Sequence, residues 1–497
     1  MKLLKVYISA FCMCSLSVLL NSCDDFLKEE PLDMKSSDQF WKTKADAESG
    51  VNALYFGGVP YLHNTDVGGG WTPKATMWGG IVSGLYVDKR KDRTFTTASE
   101  GCNFNIESFD DIAMKYWHEF YKGISRANFV IANIPTMTGV LDEATINNYV
   151  AQGKFFRAYG YFWLVKEFGG VHYISEPYTS TEGMYKERLS AEEVYKKIEA
   201  DLLDIVNGDA LPNKTFYENG CYVTRAMAQT LLAQVYLQWA GAPLNGGADY
   251  YGKAAQMALK VINDSPHGLI HPNGTTDDLN SAYNVIKTTK ESAEIIYAKE
   301  YNYSDYSVGN SYACRSIGTD AFQWGVFHPG GDVLYNAYLP CDMLLNSYAS
   351  NDIRGHEKQF FFKQYTDAEG NTHTLNNAGN WAWFDENALI SGHDGDYNMP
   401  VLRFAEVLLI AAEGLARTNH EDNAVGGAKY YLNQVRKRAG LADETATGND
   451  LIQSILTERL HELPLEFKIW DDIRRTRLYP EASTESGKLK CTALASA

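Results

Sequence analysis

The sequence is short of the residues that announce chemistry. Its eight cysteines are scattered over 497 residues and none belongs to a C-x-x-C pair, so neither a disulfide framework nor a thiolate metal site is indicated. There is no G-x-S-x-G elbow and no phosphate-binding loop. His118-Glu119 and His461-Glu462 open like a zinc-binding H-E-x-x-H, but Lys122 and Leu465 stand where the second histidine belongs. No catalytic residue, cofactor or metal ligand is expected. Basic residues are the minority, 45 against 62 acidic, for a formal net charge of −17. Phosphate-backbone recognition needs the opposite balance, so nucleic acid is excluded as a partner. Nor is there an apolar run of the ~20 residues a spanning helix requires.

What is present begins at the N-terminus. Lys2 and Lys5 precede an apolar or small-residue run from Val6 to Leu20, which has the length and flanks of a signal peptide. The run closes on Leu20-Asn21-Ser22-Cys23, followed by Asp24 and Asp25. A branched apolar residue three before a cysteine, with a small residue directly before it, resembles the bacterial lipobox. Residues 1–22 are therefore expected to be a lipoprotein signal peptide, Cys23 the lipidated residue, 23–37 a polar tether and 38–497 a single domain. At ~0.8 kcal/mol per buried CH₂, two or three acyl chains hold a protein on a membrane without any spanning helix.

Within the domain the dominant period is helical. A helix is predicted from Lys44 past Leu54. Ile112, Tyr116, Phe120, Ile124 and Phe129 mark a second, ending at Ile134-Pro135. Others are predicted from Asp142 to Phe168, where Gly169-Gly170 stops the chain, and from the Ser190–Glu193 capping box onward. Thr224–Trp239, Tyr250–Ile262, Val401–Leu415, Asn423–Arg438 and Asp450–Trp470 follow. Arg403, Glu406, Glu413 and Arg417 fall opposite the apolar stripe of the Val401–Leu415 helix, where Arg403–Glu406 and Glu413–Arg417 pairs read as structural. Two stretches break the pattern. Residues 57–105 are Gly-rich and include Gly68-Gly69-Gly70-Trp71 and Trp78-Gly79-Gly80; residues 264–399 are rich in Asn, Gly, Tyr and Asp, with one short strand at Glu294–Ala298. The expected fold class is mainly α: paired helices in a tetratricopeptide-like scaffold carrying two long irregular insertions.

Several phrases together resemble the SusD/RagB family. They run in order through Tyr116-Trp117, Ile124-Ser125-Arg126-Ala127-Asn128, and Lys154 to Phe162 continuing from Leu164 to Val171. Further on stand Arg225-Ala226-Met227-Ala228, Leu231 to Leu237, Leu402 to Leu409, and Leu432-Asn433-Gln434-Val435-Arg436. Glu458-Arg459, Glu462-Leu463 and Asp472-Ile473-Arg474-Arg475 complete the series. The resemblance implies a cell-surface lipoprotein of the Bacteroidetes type, lipid-anchored at the outer membrane. Such proteins bind a glycan without cleaving it and dock on a SusC-like, TonB-dependent transporter. The family's closing Pro-containing segment, rich in Asn and aromatics, is not matched between Gly487 and Ala497, which implies altered packing of the last helices.

Neutral sugars offer C–H faces and hydroxyls rather than charge, so flat aromatic rings outside the helical pattern are the natural candidates for contact. Those are Trp71 and Trp78 in the first insertion and Tyr301, Tyr303 and Trp324 in the second. Trp117, Trp163 and Trp239 sit on helices and read as packing. Trp381 and Trp383 alternate as on a strand, with at least one expected in the core. The two insertions are expected to meet, bringing Trp71 or Trp78 near Trp324 as a shallow platform. Two alternatives stay open: a peptide or another nutrient on the same scaffold, or a surface glycoside hydrolase, since 62 carboxylates provide many Asp/Glu pairs.

Overall fold

The computed structural model describes residues 40–56, 80–87, 111–178, 180, 185–271, 276–306, 308–313, 316–328, 338–482 and 489–494. Cys23, Trp71, Trp78 and the tether lie outside the described residues.

Helix α1 (Lys44–Asn52) opens on a Thr43 capping box in which Thr43 and Asp46 satisfy each other's backbone amides. After a two-residue strand β1 (Tyr86–Val87) come α2 (Asp111–Asn133), α3 (Glu143–Phe168), α4 (Ala191–Asn207), α5 (Arg225–Ala240) and α6 (Gly247–Asp264). The side chains of Asp142, Ser190 and Thr224 each accept an amide hydrogen bond at the start of the helix that follows. Gly169 ends α3 at φ 68°, a conformation favoured for glycine. Each helix packs on its successor: α2 on α3, α3 on α4, α4 on α5 and α5 on α6. Glycine sets the closeness of the first pair. A Cβ on Gly153 would stand 2.9 Å from Ile131 Cγ1, and one on Gly160 3.0 Å from Ile124 Cγ1. α3 and α5 are buried nearly all round, as expected of the inner layer of a helical stack.

The segment predicted to be irregular, 264–399, holds more structure than expected. It contains α7 (Ala282–Thr288), β2 (Ile295–Lys299), β3 (Leu339–Pro340), β4 (Phe361–Thr366), β5 (Thr372–Asn380) and α8 (Glu386–Ser391). β6 (Met399–Arg403) then leads into α9 (Phe404–Ala416), followed by α10 (Ala428–Arg438), α11 (Gly448–Glu462), α12 (Ile469–Thr476) and the hairpin β7 (Leu478–Ala482) with β8 (Leu489–Ala493). Among the described residues the sheets are four antiparallel pairs: β1–β3, β2–β6, β4–β5 and β7–β8. α9 packs on α6 and carries α10 and α11, so the stack runs on across the insertion. A Cβ on Gly414 of α9 would stand 2.5 Å from the Tyr251 carbonyl oxygen of α6. The architecture is mainly α, a stack of paired helices with an inserted unit of short strands and turns.

Several boundaries differ from the sequence reading, for physical reasons. The predicted Val401 helix starts three residues later, because Met399–Arg403 pairs with β2, from Ile295↔Arg403 to Lys299↔Met399. The predicted 450–470 helix breaks into α11 and α12 around Pro464, which has no amide hydrogen to donate. α10 begins at Ala428, after Gly426 at φ 92° and Gly427. Trp381 and Trp383 lie in one 3₁₀ turn and not on a strand, and Trp383 is in the core.

Arg403 does not pair with Glu406. Its guanidinium reaches Glu294 at 2.6 Å, Glu462 at 2.9 Å and Glu466 at 2.7 Å, while Glu406 meets Lys468 at 3.1 Å. Arg403, Glu406 and Glu413 are buried and Arg417 is half-buried, although the sequence reading set all four opposite the apolar stripe. Arg438 joins Glu294 and Glu462, and Arg354 joins Asp352 at 2.7 Å, Glu458 at 2.6 Å and Glu462 at 3.2 Å. This buried network ties the inserted unit, through Glu294, Asp352 and Arg354, to α10 and α11. Glu413 pairs with Arg417 as expected, and more deeply with Arg475 of α12.

Candidate ligand-binding site

The inserted unit has its own small core: Ile317, Ala321, Phe327, Phe362, Tyr365, Leu375, Phe384 and Leu389, with Trp324 and Trp381 at its border. Its frame is the β4–β5 hairpin. Asp367 closes the turn by accepting the amides of Glu369 at 3.0 Å and Asn371 at 2.8 Å, and Gly370 supplies φ 88°. The register pairs Tyr365 with His373, which places both rings on one face. Trp324 ends a 3₁₀ turn (Thr319–Trp324) held to the hairpin by Asp320, whose carboxylate accepts the Asn376 amide at 2.8 Å. The indole then stacks on His373, 4.7 Å between centroids and 19° between planes, and lies 5.8 Å from Tyr365 at 3°. Trp324 is half-buried, so part of the indole stays open to solvent.

The electrostatics fix this stack. His373 Nε2 lies 2.8 Å from Asp367 Oδ2, and that hydrogen bond, helped by the turn amides, holds the Asp367 carboxyl down to about 2. The Tyr365 hydroxyl donates to Glu386. Asp367 and Glu386 are thereby committed to holding rings in place.

Tyr303 forms a second stack beside the first. Its ring lies 4.4 Å from His393 at 15°. Its amide donates to Asp396 Oδ1 at 2.6 Å, and the Ser304 hydroxyl donates to Asp396 Oδ2 at 2.6 Å. Burial pushes the Asp396 carboxyl up, but the bonds from Ser304 and Tyr303 outweigh it and leave it below the usual range. A Cβ on Gly392 would meet His328 at 2.5 Å, so the chain leaving Trp324 passes directly beside the His393 loop. Tyr306 and Val308 are exposed along the same stretch.

Tyr301 is placed elsewhere. It is 2 % exposed within the main core, with its amide held by Asn398 Oδ1 at 2.9 Å, so its ring serves packing and is not part of the exposed surface. The expected meeting of Trp71 or Trp78 with Trp324 falls on residues outside those described. The two insertions do touch where β1 pairs with β3, and Tyr86 stacks on Tyr338 at 4.2 Å and 12°. His373, Tyr365 and His393 were not singled out from the sequence. No hairpin was expected there; the Asp367, Gly370 and Asn371 turn residues, with rings on either side, were the available clue.

Stacked rings held in place by Asp367, Glu386 and Asp396, with Trp324, His373 and Tyr303 partly open to solvent, make a candidate surface for holding a ligand. Comparison with known proteins agrees. A family model described as SusD family matches residues 322–490, and one described as starch-binding associating with outer membrane matches residues 81–237. A SusD-like protein P2 from Formosa agariphila is 26% identical over 494 residues, 95% of this chain and 91% of that protein. A SusD superfamily protein from Parabacteroides distasonis superposes with a TM-score of 0.76 at 25% identity, covering 90% of this chain and 91% of the other. Surface glycan-binding protein A from Bacteroides thetaiotaomicron, in complex with laminarihexaose, superposes with a TM-score of 0.68 at 22% identity, covering 87% and 90%. The chain belongs to the SusD/RagB family. The relatives named are described as SusD-like and as a surface glycan-binding protein, and none of these descriptions names a hydrolase. No helix of the described residues is long and apolar enough to cross a membrane.

Proposed function

We propose that this chain is a lipid-anchored surface protein that captures an oligosaccharide and delivers it to a SusC-like, TonB-dependent outer-membrane transporter. The observation that carries the glycan reading is the Trp324–His373–Tyr365 stack, a braced aromatic surface open on part of one indole. Tyr303 on His393 extends it, and Trp71 and Trp78 from the first insertion complete the set. Relatives of this fold hold sugars: one is a surface glycan-binding protein in complex with laminarihexaose, another was solved with a xylogluco-oligosaccharide. Residues 1–22 act as the signal, Cys23 as the lipidated residue, 23–37 as the tether and 38–497 as one SusD-like domain.

Calorimetric titration against a panel of oligosaccharides tests the reading. A Trp buries ~150–250 Å² in a full contact. About 80 Å² of open indole covered by a sugar, at ~25 cal/mol per Å², is about 2 kcal/mol, or roughly thirtyfold in affinity. Trp324→Ala should lose that much and keep its helical circular dichroism. Equal binding by parent and variant removes Trp324 from the site. A parent that binds peptides and no glycan replaces the sugar with the peptide alternative.

A further inference from the structure

Lys287 is a lysine in an unusual setting. It stands in the last turn of α7, half-buried, with its ammonium 4.0 Å from the Trp381 ring centroid, 5.1 Å from Tyr397 and 5.8 Å from Phe384. The acids nearest in electrostatic effect, Asp385 and Glu386, are engaged elsewhere. Asp385 accepts the amides of Ala388 at 3.3 Å and Asp396 at 3.0 Å, and Glu386 accepts the Tyr365 hydroxyl. Lys358 lies over the same Trp381 ring at 5.4 Å and adds like-charge repulsion. Lys287 also forms one wall of a cavity of about 60 Å³ with Asn310, Asn398, Met399, Arg403 and Glu466. Arg403 and Glu466 on that wall pair with each other. At ~10–15 Å³ for each water-sized probe, the space takes several waters or a two- to three-carbon molecule.

A cation surrounded by rings keeps some of its charge stabilisation, but loses water and gains no ion pair. Burial, only partly offset by Asp385 and Glu386, brings the Lys287 amine down to about 7. Roughly half of it is then neutral at pH 7, against about one lysine in 2,500 at the ordinary value. A free amine in a half-open cavity is a nucleophile.

We propose that Lys287 is a reactive amine that condenses reversibly with aldehydes of two to three carbons, making this cavity a carbonyl-capturing site. The nitrogen lone pair forms the C–N bond at the carbonyl carbon, a proton passes from nitrogen to oxygen, and the carbinolamine loses water to give an imine. No oxidant or reductant is consumed, and water reverses the step. The site is separate from the Trp324 stack and does not depend on the glycan reading.

The test treats the whole chain with glycolaldehyde and cyanoborohydride at pH 7 and maps labelled lysines by mass spectrometry. Lys287 should label at least tenfold faster than the exposed Lys122 and Lys196, with a rate that rises between pH 6 and 8 and levels above. Labelling of Lys287 no faster than the surface lysines, or a rate still climbing at pH 10, overturns the proposal.

Discussion

Glu413→Gln isolates one buried charge and leaves the shape of the side chain alone. Glu413 is fully buried in α9 and accepts three charge-assisted hydrogen bonds: Arg475 Nη1 at 2.7 Å, Arg475 Nη2 at 2.6 Å and Arg417 Nε at 2.9 Å. In the Gln variant one oxygen becomes an amide nitrogen whose hydrogens face a guanidinium. Asp472 stays beside Arg475 at 2.7 Å, so the arginine is not left bare. Three bonds to charged groups at ~1.5–3 kcal/mol each set the upper end, and the retained acceptor and Asp472 lower it. The expected cost is about 3–5 kcal/mol, the range for breaking a buried pair. Burial alone would raise the Glu413 carboxyl, yet Arg475 and Arg417 outweigh it and hold it far below the usual range. A depressed carboxyl contributes stability that is present above its unfolded value of ~4.3 and is lost as pH falls through the folded value. The gap between parent and variant should therefore be full at pH 7 and begin to close only below about pH 4. Urea unfolding followed by circular dichroism at pH 7 and pH 3.5 measures both. A variant within 1 kcal/mol of the parent at pH 7, or a gap that widens in acid, refutes the reasoning.

Gly414→Ala should destabilise the chain in a thermal melt, although helix propensity alone favours Ala by about 1 kcal/mol, because the new Cβ would meet the Tyr251 carbonyl at 2.5 Å. Gly160→Val should lower stability by about 1–3 kcal/mol through overpacking against Ile124, read in the same melt, and a neutral result would mean that α2 moves aside. Asp367→Asn removes the acceptor that fixes His373 and should weaken oligosaccharide binding severalfold with little change in melting temperature, measured by titration beside Trp324→Ala. Cys23→Ala should release the protein from membranes or leave its signal uncleaved, checked by fractionation and mass; normal retention of the processed variant would discard the anchor.

The helical layer was legible because its signals are local. Thr43, Asp142, Ser190, Thr224 and Gly169 mark their helix ends by side-chain chemistry that needs no partner from elsewhere. The errors lie where distant pairing decides. Val401 to Leu415 shows one apolar period throughout, yet its first three residues join a strand because β2 offers them a ladder. Arg403 looked like a partner of Glu406 one turn away. Its real partners, Glu294 and Glu462, are 109 and 59 positions distant, and no pattern in one sequence connects them. The candidate surface was half legible for the same reason. Trp324 and Tyr303 stand out as rings without a helical period, whereas Tyr365 and His373 become a floor for Trp324 only once the hairpin register brings them face to face. Tyr301 carries the same sequence signal as Tyr303, two positions away, and goes into the core.

The buried Arg354–Arg403–Arg438 network constrains how this protein can move and how it can be re-engineered. Lifting the inserted unit from α10 and α11 would part Arg354 from Glu458 and Glu462 and Glu294 from Arg403 and Arg438, at several kcal/mol for each broken pair. The ring-bearing unit is therefore not a hinged flap over the helices. Any rocking on a docking partner carries the aromatic surface and the helical stack as one body. Transplanting that surface onto another scaffold would require moving its arginines and glutamates together with its rings.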